Sequence, residues 1–400
     1  MKKQINSHDG LKRVLIINSD GNAFNNPSLK CIIDLFLENG YKIDLRYPKS
    51  RAPTPSYPGI RFLPYGNLLK AIKLFVIDGL YFWTLIYLSV YIEKFVHYKD
   101  YDLLIGVDRR GLIEASVLNK ITGTPYIFIS FEIMFACETS LRYKQVEKNA
   151  AQKVSAWLVQ DRIRAEQVQI ENDLDPANKI LLPLASAEIG KTGHNRLRDS
   201  LGIPIEKKVA IMIGTLAGWT MADQVLENVS KWPENWVLII HHRYGNTYKS
   251  LRDSLGSLSP LLGKKIFISD AATQTVDEMG DVLSGVNVGL AFYQPDFSFR
   301  YTGKNVEYLG LSSGKISTYL RYGIPVMVNK IGLYADEIAL HRLGIVIGHP
   351  SQISDKLNDL CDLDFSDNAR NYFLNSLDFN LYRDAIWNKL SSIMINSFQS

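Results

Sequence analysis

Apolar positions along this chain fall into two patterns, short unbroken runs and helical stripes, and the two alternate. Residues 13–19 (RVLIINS) form an unbroken run, as in a strand buried on both faces. Residues 28–39 carry Leu29, Ile32, Ile33, Phe36 and Leu37 at helical spacing, and Gly40 stops the stripe. Residues 41–47 read as a second strand. Such a βαβ opening predicts a parallel sheet. Residues 48–66, rich in Pro, Ser and Gly, read as a loop. Strands are then predicted at 102–107, 125–130, 156–159 and 179–182. Helices over 111–121, about 138–153 and about 162–171 lie between them.

The alternation pauses in a polar stretch that runs to about residue 206, then restarts. Strands are predicted at 209–213, 236–241, 265–269, 286–292, 325–329 and 344–347, with helices between. A last amphipathic stretch, 381–398, has no strand after it. The expected fold is therefore α/β, with two Rossmann-like doubly wound parallel-sheet domains facing a cleft. We place the first at 1–184 and the second at 185–372. Residues 373–400 are expected to form a helix packing back across the junction. A chain of 400 residues suits two such domains.

Composition adds limits. A hydrophobic share of 46% and a charged share of 22% are those of a globular protein. The net charge of +4 gives no case for nucleic acid. The charge is uneven, however: residues 1–110 hold 16 Lys and Arg against 10 Asp and Glu. That bias suits an anionic partner or membrane surface. Cys31, Cys137 and Cys361 are far apart, odd in number and set among apolar residues. They read as buried thiols of a reducing compartment, not as a disulfide framework or zinc site. The apolar run at 14–17 is too short for a signal peptide, so a cytoplasmic protein is expected. The stretch 75–96 is long and aromatic, but its uncharged run, 79–92, has 14 residues. A spanning helix needs roughly 20. It reads either as a core helix or as one lying in the inner membrane surface.

The candidate chemistry centres on 312–328. Ser312, Ser313 and Gly314 form a turn that opens a short helix, Gly323 ends that helix, and a buried strand follows. A helix start offers unpaired N–H groups and the positive end of the dipole, a ready anion site. Lys315 sits in the first turn, where the dipole disfavours a cation unless an anion is near. The simplest anion is a phosphate. No Walker loop or Gly-x-Gly-x-x-Gly fingerprint is present, and no His/Cys cluster has metal spacing. His241 and His242 are adjacent on a strand and point to opposite faces, so one is core or rim. His242 and Arg243 would then stand at the C-terminal end of a strand, where such sheets bind ligands.

Two α/β halves with a late phosphate turn resemble the two-Rossmann GT-B glycosyltransferases, especially the family-4-like enzymes of bacterial surface polysaccharide synthesis. Residues 315–326 (KISTYLRYGIPV) are similar to that family's Lys, helix, Gly-x-Pro-Val signature. Residues 27–45, 211–219 (IMIGTLAGW) and 286–293 (VNVGLAFY) give weaker matches to its acceptor-side opening, nucleotide-domain opening and sugar-facing strand. The resemblance implies sugar transfer from a nucleotide-sugar donor to a glycan or polyprenyl-diphosphate-linked acceptor. It implies no metal and no further cofactor. The expected donor-binding residues are Gly214, Thr215, His242, Arg243, Tyr293, Ser312, Ser313, Gly314, Lys315 and Thr318. The loop holding Asp296, Arg300 and Tyr301 would cover the sugar. A nucleotide-sugar epimerase of the same fold and a non-catalytic relative serving as a scaffold stay open.

The chain departs from that family's pattern in two places. The positions of its paired Glu residues hold Gly310 and Thr318, and no cation closely follows Gly214. Charge at the diphosphate must then come from elsewhere, and Arg243 and Lys315 are the candidates. An inverting enzyme also needs a group to take the acceptor proton. Asp108 and Glu132 each follow a predicted strand on the expected binding edge, and Asp20 is a third candidate. Asp108 alternatively caps the next helix. Glu132 lies between Phe131 and Ile133, where burial would raise its pKa. Glu337 is expected to open a helix as a dipole-favoured acid.

Overall fold

The computed structural model describes residues 12–19, 23–47, 56–64, 101–242, 256–269, 275, 279–298, 300–361 and 363–397. Among them are two wholly parallel sheets. The first has seven strands: β1 (Arg13–Asn18), β2 (Lys42–Tyr47), β3 (Ile60–Pro64), β4 (Leu103–Val107), β5 (Tyr126–Ile129), β6 (Ala156–Val159) and β7 (Lys179–Leu181). Their order is β3-β2-β1-β4-β5-β6-β7. The second has six: β8 (Lys208–Ile213), β9 (Trp236–His241), β10 (Ile266–Ser269), β11 (Val288–Ala291), β12 (Val326–Asn329) and β13 (Gly344–Ile347). Their order, β10-β9-β8-β11-β12-β13, repeats the plan of the first. Each sheet reverses its winding once, between β1 and β4 and between β8 and β11. Ligands bind beyond the carboxyl ends of the strands at such reversals.

The apolar runs explain the strands. All six residues of β1 and of β9 are buried, as expected with helices on both faces. The helices used below are α1 (Pro27–Glu38), α2 (Asp108–Thr122), α3 (Leu141–Ala151), α4 (Arg162–Asn172), α5 (Gly314–Arg321), α6 (Gly332–Leu340) and α7 (Arg383–Ser397). Asn26 caps α1 by accepting from Leu29 N–H at 2.9 Å, and Pro27 fills the first helical position, where no N–H is needed.

Four expectations need correction. Residues 60–64, expected in a loop, form the edge strand β3. It pairs on one side only, is half-exposed and ends in Pro64, so it lacks the apolar signature of the inner strands. The helix expected from 111 starts at Asp108. Cys137 is exposed and Cys31 half-buried, so the thiols are not uniformly core. Glu337 does not open a helix: it lies within α6, where it accepts from Tyr372 hydroxyl at 2.8 Å.

The last helix, α7, packs on the first domain. Ile386, Leu390 and Met394 join the core cluster of α1 and β1, and Trp387 meets the Phe36 ring edge-on at 5.7 Å. The two sheets meet at their carboxyl ends. There Leu184 N–H donates to Leu311 carbonyl, and Leu311 N–H to Asp161 carboxylate.

Candidate functional site

The second domain forms a cradle around Lys315. Ser313 is the N-cap of α5, and its hydroxyl accepts from Ile316 N–H at 3.3 Å. The N–H groups of Gly314 and Lys315 have no acceptor inside the helix. The Lys315 ammonium reaches back to the turn after β8, 3.5 Å from Thr215 carbonyl. That turn needs Gly214: its φ is +88°, and a Cβ there would stand 3.0 Å from Lys315 Cε. Two stacked rings, Trp219 and Tyr293 with centroids 6.1 Å apart, form one wall. The ammonium lies 5.9 Å from the first centroid and 5.6 Å from the second. No carboxylate among the described residues pairs with it, and burial lowers its pKa to about 8. The cradle thus holds a cation at the positive end of a helix, and among the described residues aromatic faces and a carbonyl offset its charge.

Other residues around the cradle serve as supports. Tyr293 hydroxyl hydrogen-bonds Ser313 hydroxyl at 2.6 Å, and burial pushes the phenol up to about 12. Asn329 clamps Tyr293 with both amide groups, accepting from its N–H at 2.9 Å and donating to its carbonyl at 2.7 Å. Ser312 hydroxyl donates to Leu309 carbonyl, and Thr318 hydroxyl to Gly314 carbonyl at 2.6 Å. His241 is fully buried and bonds Ser269 hydroxyl, whereas His242 is half-buried at the strand end, its pKa lowered by burial. Arg243 and Asp20 lie outside the described residues.

A second constellation occupies the junction. Asp108 has φ +51°, an uncommon conformation for a residue with a side chain, at the end of β4. It is not the N-cap of α2; Val107 is. Its carboxylate instead accepts from the N–H groups of Phe131 and Glu132, at 2.7 and 2.9 Å, and holds the loop after β5. Glu132 is exposed, and its carboxylate accepts from Asn305 of the second domain. Surrounding protein pushes Glu132 above the usual carboxylate range, while Arg164 and Asn305 pull it down. Arg164, fully buried on α4, donates to Phe131 carbonyl at 2.8 Å, Tyr308 carbonyl at 2.9 Å and Asn305 side-chain oxygen at 3.0 Å. The same loop is pinned from behind by Lys144, which donates to Met134 carbonyl and pairs with Glu147 and Glu171, each at 3.3 Å.

Sequence reasoning missed Arg164, Asn305, Asp161 and Trp219. Arg164 and Asn305 meet only through the junction, 141 residues apart in the chain, and Asp161 reaches Leu311 across 150. Trp219 was within reach, since it closes the segment IMIGTLAGW. The absent Glu pair has a steric counterpart. Gly310 has φ +53°, and a Cβ there would fall 2.0 Å from the Asp161 carboxylate. The Asp-x-Asp triplet 173–175 lies at the opposite edge of the first sheet: Asp173 ends α4 and pairs with Lys148 at 3.2 Å, and Asp175 caps the turn at Pro176.

This architecture is the GT-B fold. The UDP-glucose complex of HepE from Anabaena superposes with a TM-score of 0.67 at 13% identity, covering 95% of this chain and 99% of that one. Sucrose-phosphate synthase from Thermosynechococcus elongatus gives 0.68 at 11% identity, covering 96% and 100%. WaaG, a glycosyltransferase involved in lipopolysaccharide biosynthesis, gives 0.61 at 13% identity, covering 94% and 99%. Within the second domain, residues 247–373 match the family model described as glucosyltransferase 3-like, C-terminal domain. That stretch contains α5, Lys315 and Asn305. No curated protein matches the chain by sequence.

Proposed function

We propose that this protein is a glycosyltransferase that binds a nucleotide-sugar donor on the second domain and passes the sugar to an acceptor held on the first. The observation that carries this reading is Lys315, a half-buried cation without an ion-pair partner among the described residues, at the start of α5. As sugar leaves, charge grows on the diphosphate. Lys315 and the free N–H groups of α5 meet that charge where it develops. The glucosyltransferase 3-like match over the same residues and the UDP-glucose complex of HepE support the assignment.

On the acceptor side, Glu132 is the general base: it is exposed at the junction, and the surrounding protein holds its carboxyl above the usual carboxylate range. Asp108 positions it through the backbone of the loop. The metal is dispensable in this reading, since the cradle supplies its own cation. A lipid-linked, anionic acceptor fits the basic surplus of residues 1–110. Lys70, Lys73 and the aromatic stretch 75–96 belong to that idea and lie outside the described residues. No described helix is long and apolar enough to cross a membrane.

The test is calorimetric titration with UDP, GDP, CMP, TDP and their common sugars, with and without EDTA. One nucleotide should bind, equally well in EDTA, and Lys315→Ala should weaken it about tenfold or more. Unchanged affinity in Lys315→Ala would remove the cradle from the argument. Glu132→Gln should keep donor affinity and slow turnover by roughly 10²–10⁴-fold. Charge reversal of Lys70 and Lys73 should reduce binding to anionic vesicles. Full retention of that binding, and of transfer to a soluble acceptor, would sink the lipid-linked acceptor.

A further inference from the structure

Asn305 belongs to the second domain by sequence, yet most of its hydrogen bonds go to the first. Its side-chain oxygen accepts from Ile133 N–H at 2.9 Å and from the Arg164 guanidinium at 3.0 Å. Two donors on that side fix which way the amide points, so its NH₂ group must face the other way. There it donates to the Glu132 carboxylate and to Tyr301 carbonyl, the latter at 3.3 Å. Asn305 is 6% exposed; its bonds to Ile133 and Arg164 are buried, and those to Glu132 and Tyr301 are partly buried. Glu132, by contrast, is exposed. One oxygen of its carboxylate is tied across the junction, and the rest of the residue stays accessible.

We propose that Asn305 is a positioning residue for the general base: it reaches across the junction and holds the Glu132 carboxylate ready to accept a proton, so the base is complete only when both domains are engaged. This rests on Glu132 as base in the reading above. Among the described residues, three charged groups are tied to Glu132, its loop or its Arg164 partner. Arg164 offers the opposite charge from α4. Asp108 lies below the loop and takes the Glu132 N–H at 2.9 Å. Asp161 faces Arg164, accepting from its N–H at 3.0 Å. All three belong to the first domain, so they stay in place when the domains part. Asn305 is the member of this set that leaves. Desolvation by the surrounding protein opposes the ionised carboxylate, whereas Arg164 and the Asn305 donor favour it. Removing Asn305 therefore shifts Glu132 toward its protonated, inactive form.

The experiment reads the protonation of Glu132 directly. A protonated carboxyl gives its proton to a water-soluble carbodiimide and adds through oxygen to the central carbon, forming an O-acylisourea that an added amine traps as an amide with release of the urea, and mass spectrometry locates the modified residue. Labelling of Glu132 is followed against pH in the full chain, and in Asn305→Leu, which keeps the volume, and Asn305→Ala, which admits water. In both variants the labelling midpoint should rise by about one pH unit, roughly a tenfold change in the protonation equilibrium. Hydrolysis of UDP-glucose, with water as acceptor, should lose activity at low pH and recover toward the parent value at high pH. Midpoints that coincide with that of the parent protein would overturn the proposal, as would a loss of hydrolysis by one factor at every pH. Glu132→Gln separates the two ideas: full turnover in that variant rejects Glu132 as the base whatever the labelling shows.

Discussion

At the scale of single residues, this protein concentrates its unusual chemistry in Lys315 and Glu132. The first is a cation placed where a helix already supplies positive potential. Burial lowers its pKa to about 8, which gives donor binding a signed pH dependence. A bound diphosphate favours the charged ammonium and so raises this pKa. Proton uptake therefore accompanies binding above about pH 8. Affinity for the nucleotide should be highest and flat below that point and fall as pH rises through it, by up to about tenfold per unit. Titrations at pH 7 and pH 9.5 measure this, and Lys315→Gln should erase the slope. Asp108 shows a limit of sequence reading. Its position after β4 was legible, but its left-handed backbone and its grip on two N–H groups were not. Nothing in a local pattern says which side chain folds back onto a neighbouring loop.

At the scale of elements, legibility follows burial. Strands covered on both faces, such as β1 and β9, announce themselves as apolar runs. β3 pairs on one side and keeps half-exposed positions, so its pattern is that of a loop. The helix α5 was readable because its cap, its first-turn Lys and its terminal Gly323 are all local features. α7 was readable as a helix, and the reason it packs where it does lies in side chains far away. Ile386 is fully buried against the α1 side of the first sheet. Ile386→Ala should cost about 2–5 kcal/mol, read by denaturant unfolding of the first domain. A loss below about 0.5 kcal/mol would mean that α7 adds little to that core.

At the scale of the whole molecule, Arg164 is a hub of the junction. Its guanidinium ties Gln160, Phe131, Asn305 and Tyr308 together, the last two from the second domain. Arg164→Met removes the donor and leaves those buried acceptors short of a partner, at about 1–3 kcal/mol each. The two sheets should still fold, and the domains should separate more readily. Small-angle scattering should then report a larger radius of gyration for the variant. An unchanged radius would show that the remaining contacts suffice. None of this could be read from the sequence, because Arg164 and Asn305 are 141 positions apart and meet only after both sheets exist.

The return of α7 to the first domain has a mechanical side. The chain passes between the domains twice, once after β7 and again before α7. The two passages touch: Phe379 N–H donates to Ser186 carbonyl at 3.2 Å. Two cords fastened side by side act as a door hinge rather than as a ball joint. Arg321, the last residue of α5, grips the first cord through the carbonyls of Ala187 and Glu188, both at 2.8 Å. The same rod, about 12 Å long, carries Lys315 at its other end. Whatever pulls on the cradle thus pulls on the hinge pin.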